Sequence, residues 1–150
     1  MKKYLLLSVV ILATGCATTY QAPQTPEKVI SAQHSKSTSE LLRSAKQVLL
    51  LEGYQIQTYD DQAGIISTTL KNKKLTIAQA DCGTTMGIDY LKDNRTKTEV
   101  ALNIIVNDSA ITVKSNIHGE YKPGSATNDI TLTCVSKGTI ESEVLKKITS

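Results

Sequence analysis

The side chains able to do chemistry are few and scattered. A general base at neutral pH would have to be His34 or His118, because the chain holds two histidines. His34 lies in a stretch without periodicity, a poor platform for a positioned group. His118 follows Ile117 in an alternating segment, so it faces water if Ile117 faces the core. Ser125 stands in Pro123-Gly124-Ser125-Ala126, which lacks the Gly-x-Ser-x-Gly elbow of a strained nucleophile turn. Asp81, Asp89 and Asp93 flank a long loop at spacings that match no calcium loop, so they read as solvated loop acids. No phosphate loop, dinucleotide fingerprint or zinc spacing occurs. The expectation is a protein that is not an enzyme and uses no metal or cofactor.

Residues 83–96 hold Met86 and the pair Tyr90-Leu91 among glycines and polar residues. Apolar side chains in a polar loop can form a partner-binding edge. They can equally fold back over a neighbouring sheet. Both readings stay open from sequence.

The N-terminus is more informative. Met1-Lys2-Lys3 is a short basic head, and Tyr4–Ala13 is an apolar run too short to span a bilayer. Thr14, Gly15 and Cys16 follow. This is the pattern of a secretory signal, expected over residues 1–15. The segment Leu12-Ala13-Thr14-Gly15-Cys16 resembles the bacterial lipoprotein box, with Ala13 where that family prefers Leu. The resemblance implies a diacylglyceryl group on Cys16 and a protein anchored to a membrane by at least two acyl chains. Ala17 in place of Asp implies the outer membrane, with the domain facing the periplasm. Loss of residues 1–15 removes Lys2 and Lys3 from the 17 basic residues and none of the 14 acidic ones, leaving a balance of +1. Nothing in that charge points to nucleic acid.

Two further cysteines remain, Cys82 and Cys134. An oxidising compartment makes a disulfide the simplest reading of an even pair. A redox pair or metal site is the alternative, but no Cys-x-x-Cys is present.

These residues need a scaffold. Residues 16–36, rich in Thr, Gln and Ser with Pro23 and Pro26, read as a flexible tether reaching roughly 25 Å as a coil. Val29-Ile30 docking as an edge strand is the alternative. A single domain is expected over residues 37–150. Ser37-Thr38-Ser39-Glu40 fits a capping box opening a helix over 38–52 that stops at Gly53. Tyr54–Tyr59, Ile65–Leu70 and Leu75–Ala80 read as strands. Val100–Val106 and Ile111–Tyr121 form the clearest hairpin, with Asn107-Asp108-Ser109 as its turn. Ile130–Cys134 is a last short strand, and Ile140, Val144, Leu145 and Ile148 mark a helix over 139–149. The expected fold is two-layer α+β: an antiparallel sheet of four to five strands covered by an N-terminal and a C-terminal helix.

Leu41–Thr69 also resembles the helix-and-sheet domains of BamC, a lipoprotein of the β-barrel assembly machine. The shared pattern is the helix ending in Gly53-Tyr54, a strand, the turn Asp60–Gly64 and Ile65-Ile66-Ser67-Thr68-Thr69. Such domains usually bind or scaffold. The implied function is an outer-membrane-anchored, non-enzymatic module for an envelope protein complex. The alternative is a tethered inhibitor or small-ligand-binding lipoprotein.

Overall fold

The structure, a computed structural model, describes residues 20–124 and 128–150. The expected signal peptide, Cys16 and Ser125 lie outside the described residues. In chain order the elements are β1 (Tyr20–Gln21), β2 (Ile30–Gln33), α1 (Thr38–Leu51), β3 (Ile56–Asp60), β4 (Ile65–Thr68), β5 (Lys71–Asn72), β6 (Ala80–Asp81), β7 (Thr84–Thr85), β8 (Ile88–Asp89), a 3-10 turn (Tyr90–Lys92), β9 (Thr96–Val106), β10 (Ala110–Tyr121), β11 (Ile130–Thr133), β12 (Val135–Ser136) and α2 (Thr139–Thr149). The fold is α+β with antiparallel sheets. The sheet is larger than expected: seven strands, in the order β11-β10-β9-β4-β3, with β2 also on β10 and β5 also on β9. A three-stranded ribbon β1-β7-β8 and a two-stranded ribbon β12-β6 complete it.

The long hairpin β9–β10 is the frame. Val100, Leu102, Ile104 and Val106 on β9 oppose Ile117, Ser115, Val113 and Ile111 on β10. The period of two places this set on one face. The β9 members and Ile111 and Val113 join Leu41, Leu42, Ala45 and Leu49 of α1 and Ile140, Val144, Leu145 and Ile148 of α2 in one core. The alternate residues Asn103, Ile105, Lys114 and His118 stay partly or fully exposed. At the turn, the Asn107 side chain accepts from the Ser109 and Ala110 amides.

α1 begins as its sequence requires. The Ser37 hydroxyl accepts from the Glu40 amide, and the Glu40 carboxylate accepts from the Ser37 amide. At the far end Gly53, at φ +77°, turns the chain out of the helix. Lys71 donates to the Glu52 carbonyl there and lies over the Tyr54 ring.

Four expectations need correction. First, the tether does not extend to residue 36. Tyr20 and Gln21 pair with β7, Ile30–Gln33 pair with β10, Thr25 bonds Asp81, and Glu27 pairs with Lys114. The domain therefore includes residues 20–36. Short polar stretches carry little periodic signal, and pairing to a distant strand overrides composition. Second, Leu75–Gln79 is no strand, and only Ala80 of the expected stretch enters one, at the start of β6. The Gln79 side chain accepts from the Thr76 amide, and the Gln79 and Ala80 amides return to the Thr76 carbonyl, which closes a turn. Third, β3 carries a bulge between Ile56 and Thr58. Simple alternation groups Thr58 with Ile56. The bulge instead puts Tyr59 opposite the buried Ile66, under Lys46 of α1. Fourth, residues 83–96 are not an open loop: β7, β8, the 3-10 turn and the start of β9 occupy them.

Tyr54 is buried, and its hydroxyl is an unpartnered buried side-chain atom. Burial, with Glu52 and Glu141 nearby, pushes its pKa up to about 12. The native state therefore resists ionisation that the unfolded chain permits. Stability is expected to fall as pH rises from about 10 to 12. Tyr54→Phe should remove the Tyr54 share of that slope and add about 1 kcal/mol at neutral pH, since it deletes an unpaired polar atom. Urea unfolding of both proteins across that pH range checks it.

Candidate functional site

Cys82 and Cys134 form a disulfide, S–S 2.01 Å. It joins the segment after β6 to the break between β11 and β12. Around it Tyr90, Cys82 and Leu132 make a second small core, with Tyr20, Tyr121, Ile130 and Leu91 packed on it. The Tyr90 ring sits 5.8 Å from that of Tyr20 and 5.0 Å from that of Tyr121. The Tyr20 hydroxyl donates to the Thr133 carbonyl and accepts from the Thr133 amide. Gly119 lies directly beneath the bridge: a methyl there would stand 2.6 Å from the Cys134 sulfur.

This packing divides the proposed partner edge. Tyr90 is 4% exposed and Leu91 is packed on both cores, so neither offers an edge. Buried aromatic area outweighs the polar character of the flanking loop. Met86 is 84% exposed, with Ile88 beside it at 62%. Met86 and Gly87 are the two turn residues between β7 and β8, and both have positive φ, +49° and +78°. That is the conformation a two-residue hairpin turn needs.

The acids hold the structure together. Burial opposes the charge on Asp81, but bonds from the Gly83 amide and from Thr25 keep its carboxyl below the ordinary range. Asp89 accepts from the Leu91 amide and caps the 3-10 turn. Asp93 takes Arg95 through both carboxylate oxygens, and Arg95 lies over the Tyr121 ring. The Arg95 side-chain bonds, with the Arg95 amide, hold the Asp93 carboxyl well below the usual carboxylate range. Among the described residues no His, Cys, Asp and Glu cluster is arranged to hold a metal.

His118 is exposed on β10, opposite Glu99 and Thr133. His34 lies after β2, and its ring nitrogens face the Lys36 and Asn107 carbonyls, each at 2.9 Å. A neutral ring can donate to one of these and a charged ring to both. The role is to clip β2 to the β9–β10 turn.

A cleft that sequence reasoning missed opens where β5 meets β9. It has a volume of about 380 Å³ and is lined by Asn72, Lys73, Lys74, Asn94, Lys97 and Thr98, with Thr96. Its walls are fixed. The Lys73 amide donates to the Thr98 carbonyl, and the Thr98 hydroxyl returns to the Lys73 carbonyl. Lys74 donates to the Asn94 side chain at 2.9 Å. The wall at Asn94 is braced by the Asp93–Arg95 pair, and the Thr96 hydroxyl donates to the Tyr90 carbonyl. Among the described residues none of Lys73, Lys74 and Lys97 is in an ion pair, and Lys97 stands across the strands from Glu120. Three lysines line this opening, with Lys73 also near enough to Glu52 to help lower its carboxyl, and such a lining suits a carboxylate- or phosphate-bearing group. The run Lys71–Lys74 was visible in the sequence, but its meeting with Lys97 depends on β5–β9 pairing.

No protein-family model matches this chain, and neither does any curated protein. Among solved structures similar to it is a DUF4468 family protein from Bacteroides ovatus, at 12% identity and a TM-score of 0.44. The match covers 73% of this chain and 64% of that protein, so the chain spans less than two thirds of its length. Nothing about the activity of this chain follows from a likeness at that level.

Proposed function

We propose that the chain is an outer-membrane-anchored lipoprotein whose domain binds an envelope protein, without catalysis of its own. In this reading Cys16 carries the lipid, and the domain is two-layer, with both helices over one sheet face. No helix among the described residues is long and apolar enough to cross a membrane. The observation that carries the binding role is the lysine cleft. Its walls are cross-braced by main-chain bonds, so a partner does not have to order them, and ordering costs are what weaken most binding. The partner presents carboxylates to Lys73, Lys74 and Lys97. A small anionic ligand is the second reading, favoured by a cleft volume within the range of small-molecule sites.

The test is reversible crosslinking in living cells, followed by purification through a C-terminal tag. One stoichiometric envelope partner is expected. The combined variant Lys73→Gln, Lys74→Gln and Lys97→Gln, which sets no like charge opposite Glu120, should reduce its recovery by about tenfold or more, with unchanged thermal unfolding. A partner retained by that variant would remove the cleft from the interface. No reproducible partner would favour the ligand reading.

A further inference from the structure

We propose that the β7–β8 hairpin tip is a membrane-docking element, with Met86 and Ile88 inserted into the lipid surface beside the acyl chains on Cys16. The inference rests on the lipid-anchor reading of Cys16.

β1 pairs antiparallel with β7 in the register Tyr20↔Thr85 and Gln21↔Thr84. Tyr20 therefore stands opposite the residue that precedes Met86, and the chain reaches Tyr20 from the turn end of the hairpin. Cys16 is four residues before Tyr20. Four residues span at most about 14 Å when fully extended. A lipid on Cys16 thus holds Tyr20, and with it the hairpin tip, against the bilayer.

The tip presents apolar side chains to solvent. Met86 is 84% exposed and Ile88 is 62% exposed. A turn with positive φ at both central residues is ordinarily filled by Asn, Asp or Gly. Gly87 meets that demand, but Met86 at φ +49° does not. The backbone gives no reason for methionine at this position, so the reason lies with the side chain. An unbranched, polarisable apolar chain suits insertion among acyl chains.

The tip is also stiffly held. Tyr20 is fixed to Thr133 by two hydrogen bonds and to the Tyr90 ring, and the base of the hairpin is fixed by the disulfide. At Gly83 the hairpin comes so close to β1 that a Cβ would lie 2.2 Å from the Gln21 carbonyl oxygen. Tyr20 and the tip therefore move as one body. Such contact would hold the domain in one orientation on the membrane.

The natural chain has no Trp, so one introduced indole reports alone. Full-length Met86→Trp and Ile88→Trp would be made as lipidated proteins and reconstituted in phosphatidylethanolamine–phosphatidylglycerol vesicles. Cys16→Ser proteins carrying the same indoles give the emission in water. The expected result is a blue-shifted emission that brominated lipid quenches strongly and aqueous acrylamide quenches weakly. Ile88→Trp keeps the test open if substitution at the Met86 turn impairs folding. Acylated protein whose indoles give the water spectrum would overturn the docking tip and leave the anchor standing. A mass spectrum without acyl groups on Cys16 would overturn both.

Discussion

Glu141→Ala is expected to destabilise the domain by about 3–5 kcal/mol, by unpairing buried donors and leaving a cavity. Glu141 lies in the first turn of α2 and is 0% exposed. One carboxylate oxygen accepts from the Ser115 amide at 3.1 Å and from the Ser115 hydroxyl. The other accepts from the Ser136 hydroxyl at 2.7 Å, which in turn accepts from the Gly138 amide. The reason for this arrangement is a gap in the sheet. β10 pairs with β2 over residues 110–113 and with β11 over residues 118–121. Ser115 falls between them with no strand to take its amide, and the carboxylate takes it instead. Glu141→Gln keeps the shape and an accepting oxygen for Ser115, and its amide can donate to Ser136. It should lose only about 1–2 kcal/mol. Urea unfolding followed by circular dichroism measures both. A loss below about 1 kcal/mol for alanine would show that both serines find other partners.

Removing the disulfide is expected to have the other large effect. Cys82 and Cys134 are 52 residues apart in sequence. Closing a loop of that size restricts the unfolded chain by on the order of 4 kcal/mol in the entropy model, and roughly 2–4 kcal/mol is the usual measured range. Cys82→Ala with Cys134→Ala, or reduction of the natural protein, should lower unfolding stability by that amount. Loss should centre on the second core, where Tyr90 and Leu132 pack around the bridge. Thiol labelling of unfolded, unreduced protein should find neither cysteine free. Equal stability with and without reductant would mean that the tyrosines alone hold this end.

The parts of the fold legible in the sequence are those set by local chemistry. Ser37 and Glu40 announce α1 because both sides of a capping box lie within four residues. The hairpin β9–β10 announces itself because eleven pairs in unbroken register demand alternation. The cysteines follow from counting. Strands of two residues, such as β1, β5 and β6, leave no period to read. The bulge in β3 inverts a face without changing composition. Glu141 illustrates the same limit at a single position. Its place near a helix N-terminus suits the helix dipole, which gives the sequence no reason to bury it. Only the gap along β10 does that. The lysine cleft is likewise a product of pairing, since Lys73 and Thr98, 25 residues apart, are joined by a hydrogen bond beside the β5–β9 pair.

The N-terminal strands also set an order of assembly. β1 waits for β7, and β2 waits for β10 at the far end of the chain. Each closure spans a long stretch of chain and so is entropically expensive early in folding. Synthesis delivers residues 30–33 early, yet they have nothing to pair with until residue 113 is in place, and Tyr20–Gln21 wait for residues 84–85. The sheet must therefore be largely complete before its first-made strands can dock. Short and late to join, β2 should also be among the first to open, and amide exchange in β2 should run ahead of that in β9 and β10.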